Sequence, residues 1–266
     1  MLHPVFYSFA CCFFIFPLLA LSACASRLPA PVEQQDTLNL RIAPWVAASG
    51  TAKPAAWVHF ILPGKKPSQF DYVLEDGRHA VAANAQSSAS MLRQVMQVEP
   101  SNLGNLKFSW KLPGLIQYAD MSIREFDDSP VRVVLAFEGD RTKFSAKNAM
   151  LSELAHLLSG EPLPYATLMY VWCNICAPES IIVNPHTDRI RKLPLESGPE
   201  KLNRWMNYER NIRADFVKAF GEEPGTLTSI SIMTDTDNTK SVARAFYGPV
   251  QLLTQKTQAP ALQKVR

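Results

Sequence analysis

Between residues 45 and 252 the apolar side chains fall into short runs of period two, each closed by proline, glycine, asparagine or aspartate. Successive strand residues point to opposite faces, so runs of this kind describe half-buried strands. Val58, Phe60 and Leu62 alternate with His59 and Ile61, and Leu106, Phe108 and Trp110 form a second run ended by Pro113-Gly114. Val131-Arg-Val-Val-Leu-Ala-Phe137 is β-branched and nearly uninterrupted, as in a strand covered on both faces. Leu168-Met-Tyr-Val-Trp172 follows Pro164. Residues 180–183 lead through the turn Asn184-Pro-His-Thr187 into a return strand over 189–195. Residues 227–233 and 242–252 flank a polar loop. Short strands joined by such turns predict a mainly β protein, a two-sheet antiparallel β-sandwich.

Two segments depart from period two and predict short helices. Over 147–158, Met150, Leu151, Leu154, Leu157 and Leu158 share one helical face, with Gly160 as the stop. After a strand over 205–210, a helix over 214–220 ends at Gly221. The 47% hydrophobic and 19% charged composition supplies a core and excludes a disordered chain. A net charge of +3 without a basic run gives no footprint for nucleic acid.

Residues 1–23 contain no Asp, Glu, Lys or Arg, and 5–21 are almost all apolar. A hydrophobic core followed by small residues is the pattern of a cleaved secretory signal, with an uncleaved membrane anchor as the alternative. The ending Leu21-Ser-Ala-Cys24 resembles a bacterial lipobox, which implies lipidation of Cys24 as the mature first residue. Ser26, rather than Asp, stands two residues further on, which by resemblance to lipoprotein sorting favours the outer membrane, facing the periplasm. Residues 24–42 read as a tether, 43–255 as a single domain and 256–266 as a tail. Beyond the signal and Cys24, the cysteines are Cys173 and Cys176. In an oxidising compartment they read as a structural disulfide or as plain thiols. A redox site is disfavoured because Ala177-Pro178 is a poor helix start, and a zinc site because no second Cys pair exists.

The strings Asp127-Asp-Ser-Pro-Val-Arg-Val-Val-Leu-Ala-Phe-Glu-Gly-Asp140, Leu163-Pro-Tyr-Ala-Thr-Leu-Met-Tyr-Val-Trp172 and Asn184-Pro-His-Thr-Asp-Arg189 follow one another in order. Tyr208-Glu-Arg210, Phe220-Gly-Glu-Glu-Pro-Gly225, Met233-Thr-Asp-Thr-Asp-Asn-Thr239 and Ala245-Phe-Tyr-Gly248 complete the set. Together they resemble the bacterial family of domain of unknown function 3047, which implies no established activity. The order of strands and helices also resembles carbohydrate-binding jelly rolls of the galactose-binding type, an analogy of topology.

Candidate ligand residues cluster in two places. Asp235, Asp237 and Asn238 lie in a loop rich in acidic oxygens, suited to a sugar or to Ca²⁺, although the twelve-residue EF-hand pattern is missing. The competing account has these side chains capping their own backbone. Tyr170, Trp172 and Asn174 share one face of a strand and offer aromatic surfaces ending in an amide, with a core role as the competing account. His186 and Arg189 stand at the proline turn. Asp127 and Asp128 point to opposite faces and suit an ion-pair network with Asp120, Arg124 and Arg132. No nucleophile elbow, zinc helix or phosphate loop occurs. The expectation is a non-catalytic envelope lipoprotein that binds a glycan or other envelope component. The alternatives are a polysaccharide hydrolase using Asp128, Asp235 or Asp237, and a structural partner in an envelope complex.

Overall fold

The computed structural model describes residues 57–253. Cys24 and the expected signal, tether and C-terminal tail lie outside them. The alternating runs become strands β1 (Val58–Ile61), β2 (Gln69–Glu75), β3 (Arg78–Gln86), β4 (Ala89–Val98), β5 (Asn105–Lys111) and β6 (Ser129–Phe137). Helix α1 (Ala146–Ser159) precedes β7 (Ala166–Cys173), β8 (Ile182–Val183), β9 (Ile190–Ser197) and β10 (Trp205–Asn211). Helix α2 (Ile212–Phe220) leads into β11 (Leu227–Asp235), β12 (Val242–Tyr247) and β13 (Gln251–Leu252).

The strands form two sheets. One has the order β1-β4-β11-β6-β7-β9-β8, the other β10-β5-β12-β3-β2 with β13 on β5. This is the expected β-sandwich, with one departure from antiparallel pairing. β7 and β9 run parallel, and β8 pairs antiparallel with β9. A parallel neighbour requires a crossover, which consumes residues 174–189 and leaves the predicted hairpin a first arm of two residues.

Between the sheets, Val131, Val133, Leu135 and Phe137 of β6 join Leu168, Tyr170 and Trp172 of β7 and Ile230 and Ile232 of β11. They meet Leu106, Phe108 and Trp110 of β5, and all are buried. Each such side chain contributes roughly 1.5–3 kcal/mol through the water it sheds. The other parity of the larger sheet, Val134, Met169, Val171 and Met233, is buried under Met121 from the segment before β6. That second cover explains why the β6 string has no polar alternation.

Helix α1 is built with its polar side inward. Ser145 caps it and Gly160 ends it with a left-handed φ of 77°. Asn148 and Ser152 are buried; the Asn148 amide donates to Asp188 Oδ1 at 2.7 Å and accepts from Thr187 Oγ1 at 2.8 Å. Ser152 Oγ accepts from Arg141 at 3.1 Å. Met150, Leu154, Leu157 and Leu158 face outward, with Leu157 80% exposed. The apolar face read from sequence is real but does not join the core. The surface beneath offers Asp188, Thr187 and Arg141, and leucines there would strand these polar groups. Helix α2 begins two residues earlier than expected because Asn211 caps it, accepting from Ala214 N at 3.0 Å.

Candidate functional site

The strand-end aromatics are core residues, which corrects the reading of a rim platform. Tyr170 has no exposed surface; its hydroxyl donates to Asp215 Oδ2 at 2.8 Å and its ring stacks on Phe108 at 5.4 Å. The Trp172 indole donates to the Gly198 carbonyl at 3.0 Å. Inward parity is the physical reason: both belong to the face of β7 that meets β5. Asn174 donates to the Ile116 carbonyl at 2.7 Å, fastening the segment before β6. Cys173 and Cys176 form a disulfide.

The acidic loop lies at this same end of the sandwich, turned inward. Asp128 accepts from the amides of Asn238 and Thr239 at 3.1 and 2.7 Å and from the Thr239 hydroxyl at 2.6 Å. Asn238 donates to the Arg124 carbonyl at 2.6 Å. Asp235 is buried 3.0 Å from Arg132, and Asp237 pairs with Lys65. Burial pushes the Asp235 carboxyl well above the usual range, against the pull of Arg132. Asp237, in spite of its partial burial, is held below its usual value by a hydrogen bond from Asp235 and by Lys65. Oxygens of Asp128, Asp235 and Asp237 lie within 4.8 Å of one another. Each carboxylate already has a protein donor, which lets the cluster brace the loop.

Beside it runs a buried ion network of which the sequence showed one half. Asp127 accepts from Lys192 at 2.5 Å, from Arg132 at 3.3 Å and from Asn184 at 2.9 Å. Lys192 is fully buried; burial and the nearby Arg132 lower its ammonium from 10.5 to about 8. His186 is exposed near this network, its amide capped by Asn184 Oδ1, with burial and the charge of Arg124 lowering its pKa. Arg189 lies at the opposite end, where β7 and β9 begin, donating to the Tyr165 carbonyl at 2.8 Å and Glu222 at 2.7 Å. The eight proposed ligand residues therefore do not converge on one open surface.

An open surface is found on the outer face of the smaller sheet. Outward parity there gives Lys107, Ser109 and Lys111 on β5, opposite Glu209, Asn207 and Trp205 on β10. Trp205 thus lies on this face and outside the core. The β2–β3 hairpin turns on Asp76 and Gly77, both at positive φ (50° and 74°), the two-residue Asp-Gly turn that suits strand twist. Lys111 donates to Glu75 at 2.5 Å and Asp76 at 2.8 Å, pinning the hairpin tip over β5. Those two bonds, Asp76 first, hold the Lys111 ammonium above its ordinary value. Arg78 donates to Asn207 Oδ1 at 3.1 Å, with its guanidinium 5.2 Å from the Trp205 ring centre. Trp205 also lies near Gly248, where any side chain would strike Ser109.

The result is a groove of about 700 Å³ lined by Arg78, His79, Lys107, Ser109, Asn207, Glu209 and Gln251, among others. Lys107 and Glu209 are 3.3 Å apart. Glu209 is kept below its usual pKa by the Asn105 amide and then by Lys107. Glu209 is the one carboxylate among the lining residues. The signal for this groove was present in the sequence as the polar parity of the Leu106-Phe108-Trp110 strand.

Two packed sheets with a groove on one outer face define a β-sandwich domain. The family model described as protein of unknown function (DUF3047) matches residues 55–251, and the chain belongs to that family. No curated protein matches it. Among solved structures it is similar to the family 11 carbohydrate-binding module of the cellulosomal cellulase Lic26A-Cel5E of Clostridium thermocellum. That match has 9% identity and a TM-score of 0.38 over 80% of this chain and all of that one. The xyloglucanase domain of NopAA from Sinorhizobium fredii matches at 9% identity and a TM-score of 0.41 over 77% and 97%. Endoglucanase 3 of Trichoderma harzianum, from family GH12, matches at 6% identity and 0.38 over 77% and 100%. None of these likenesses assigns a role to a residue of this chain.

Proposed function

We propose that the protein is a non-catalytic binding domain of the cell envelope that holds a glycan in the groove of the smaller sheet. One observation carries the reading: the groove gathers amide, guanidinium, imidazole, ammonium and hydroxyl groups around a single carboxylate. Planar polar side chains in a cleft of this size suit a ligand dense in hydroxyls. Glycoside hydrolysis ordinarily uses two carboxylates flanking the bond, and Glu209 has no second acid in the lining. Binding by the full chain to a panel of envelope and plant oligosaccharides, followed by calorimetry, tests this. Asn207→Ala with Gln251→Ala should abolish retention while leaving the melting curve nearly unchanged. Retention that survives the double substitution would place the ligand elsewhere.

The domain is held to the membrane, in this reading, through lipid on Cys24, and faces the periplasm from the outer membrane. The Leu21-Ser-Ala-Cys24 ending supports it, and the Cys173–Cys176 disulfide suits an oxidising compartment. Metabolic labelling with a fatty-acid analogue should mark the wild type and leave Cys24→Ala unlabelled; equal labelling removes the anchor.

A further inference from the structure

We infer that the glycan held in this groove carries an anionic group, carboxylate or phosphate, and that Arg78 receives it. The inference rests on the glycan reading of the groove and names the class of sugar within it.

The charges of the lining decide the matter. Lys107 is matched by Glu209 across the β5–β10 pair, and Glu209 is further engaged by the Asn105 amide. Lys111, beside the groove, is matched twice, by Glu75 and Asp76. Arg78 has no carboxylate partner among the described residues; its protein contacts are one hydrogen bond to Asn207 and the Trp205 ring. The nearby acids Glu75 and Asp76 are both taken by Lys111, so the Arg78 guanidinium is the cation here without a direct ion pair and is left to the groove.

Arg78 is also held in place. The Asp76-Gly77 turn fixes where the residue leaves the hairpin, the Asn207 carbonyl oxygen takes one N–H, and the guanidinium lies over the Trp205 ring. A guanidinium has five N–H donors in a fork that matches two oxygens of a carboxylate or phosphate. One donor is used, so paired donors remain for a ligand. Because the fork is already oriented, little side-chain entropy is lost on binding. Neighbouring Ser109, Asn207 and Gln251 are uncharged hydrogen-bonding groups suited to ring hydroxyls. A neutral sugar would use those groups and leave the guanidinium unmatched.

Two pairs of probes separate the sources of charge: hexagalacturonate against its methyl ester, and phosphomannopentaose against the same pentaose after dephosphorylation. Titrated into the full chain at low salt, the charged member of at least one pair should bind tenfold or more tightly than its neutral partner. That advantage should shrink with added salt and disappear in Arg78→Gln, which keeps an amide donor at the same place. Arg78→Lys should recover part of it, as a charge without a fork. Equal affinity within both pairs, unchanged by Arg78→Gln, would overturn the inference; loss of binding in Asn207→Ala with Gln251→Ala would then still uphold the groove. A charge preference that persists in Arg78→Gln also overturns it. Failure of all four probes to bind folded wild type counts against both inference and groove.

Discussion

Tyr170 and Lys192 show how single side chains divide their work between packing and charge. Tyr170 spends its hydroxyl on Asp215, which Arg210 also holds at 2.7 Å. Tyr170→Phe should cost about 1–3 kcal/mol in urea unfolding, since it strips a partner from a buried carboxylate. It should leave glycan affinity untouched; a weakened affinity at unchanged stability would return the ring to the binding site. Lys192 makes a pH-dependent claim. Folded, it releases its proton near pH 8, while the unfolded chain keeps its own to about 10.5. Across that window the unfolded state binds more protons, so stability rises with pH. At neutral pH the buried ammonium is retained at a cost of about 3 kcal/mol. Wild type should therefore gain on Lys192→Met between pH 8 and 10.5, read from urea unfolding at several pH values. A constant difference would mean that Lys192 titrates as an exposed lysine does.

Among the helices and strands, α1 makes the clearest case of a pattern read correctly and placed wrongly. Its leucine stripe fixed the helix, but the choice of buried face was made by Asn148, Thr187, Asp188 and Arg141, groups far apart in sequence. Leu154→Gln and Leu157→Gln should each change the melting midpoint little, within about 0.5 kcal/mol, as exposed substitutions do. Asn148→Ala should cost about 1–3 kcal/mol, because it takes the acceptor from the Thr187 hydroxyl and removes a donor from Asp188. The reverse ranking in thermal melts would mean that the helix packs through its leucines. Strand β6 was legible from Val131 to its end at Phe137 because β-branched repetition has one reading, while its first two residues, Ser129 and Pro130, carry no such signal. Strand β7 was legible over 168–172, the middle of Ala166–Cys173, and its tyrosine and tryptophan misled in function, since period two says which residues share a face but not which face is wet. The groove escaped notice for a related reason. It is assembled from the polar parities of β5 and β10 and the tip of the β2–β3 hairpin, and no contiguous string contains it.

Taken across both sheets, the larger one is closed on its outer side by the segment before β6, and Asp127 fastens that cover. Its carboxylate joins Lys192 of β9, Arg132 of β6 and Asn184 of the β8–β9 turn. Asp127→Ala leaves two buried cations short of a partner and should cost roughly 3–5 kcal/mol. Faster amide exchange over residues 114–126 than over β6 should accompany it; uniform acceleration throughout would mean the network braces the whole sandwich rather than this cover. The two layers also differ in what they connect to. The chain enters the described domain at β1, an edge of the larger sheet, whereas the groove opens on the outward side of the smaller one. The described residues thus begin on one layer, and the groove belongs to the other. A substitution at Arg78 or its neighbours is therefore made on the sheet with which the leading strand does not pair.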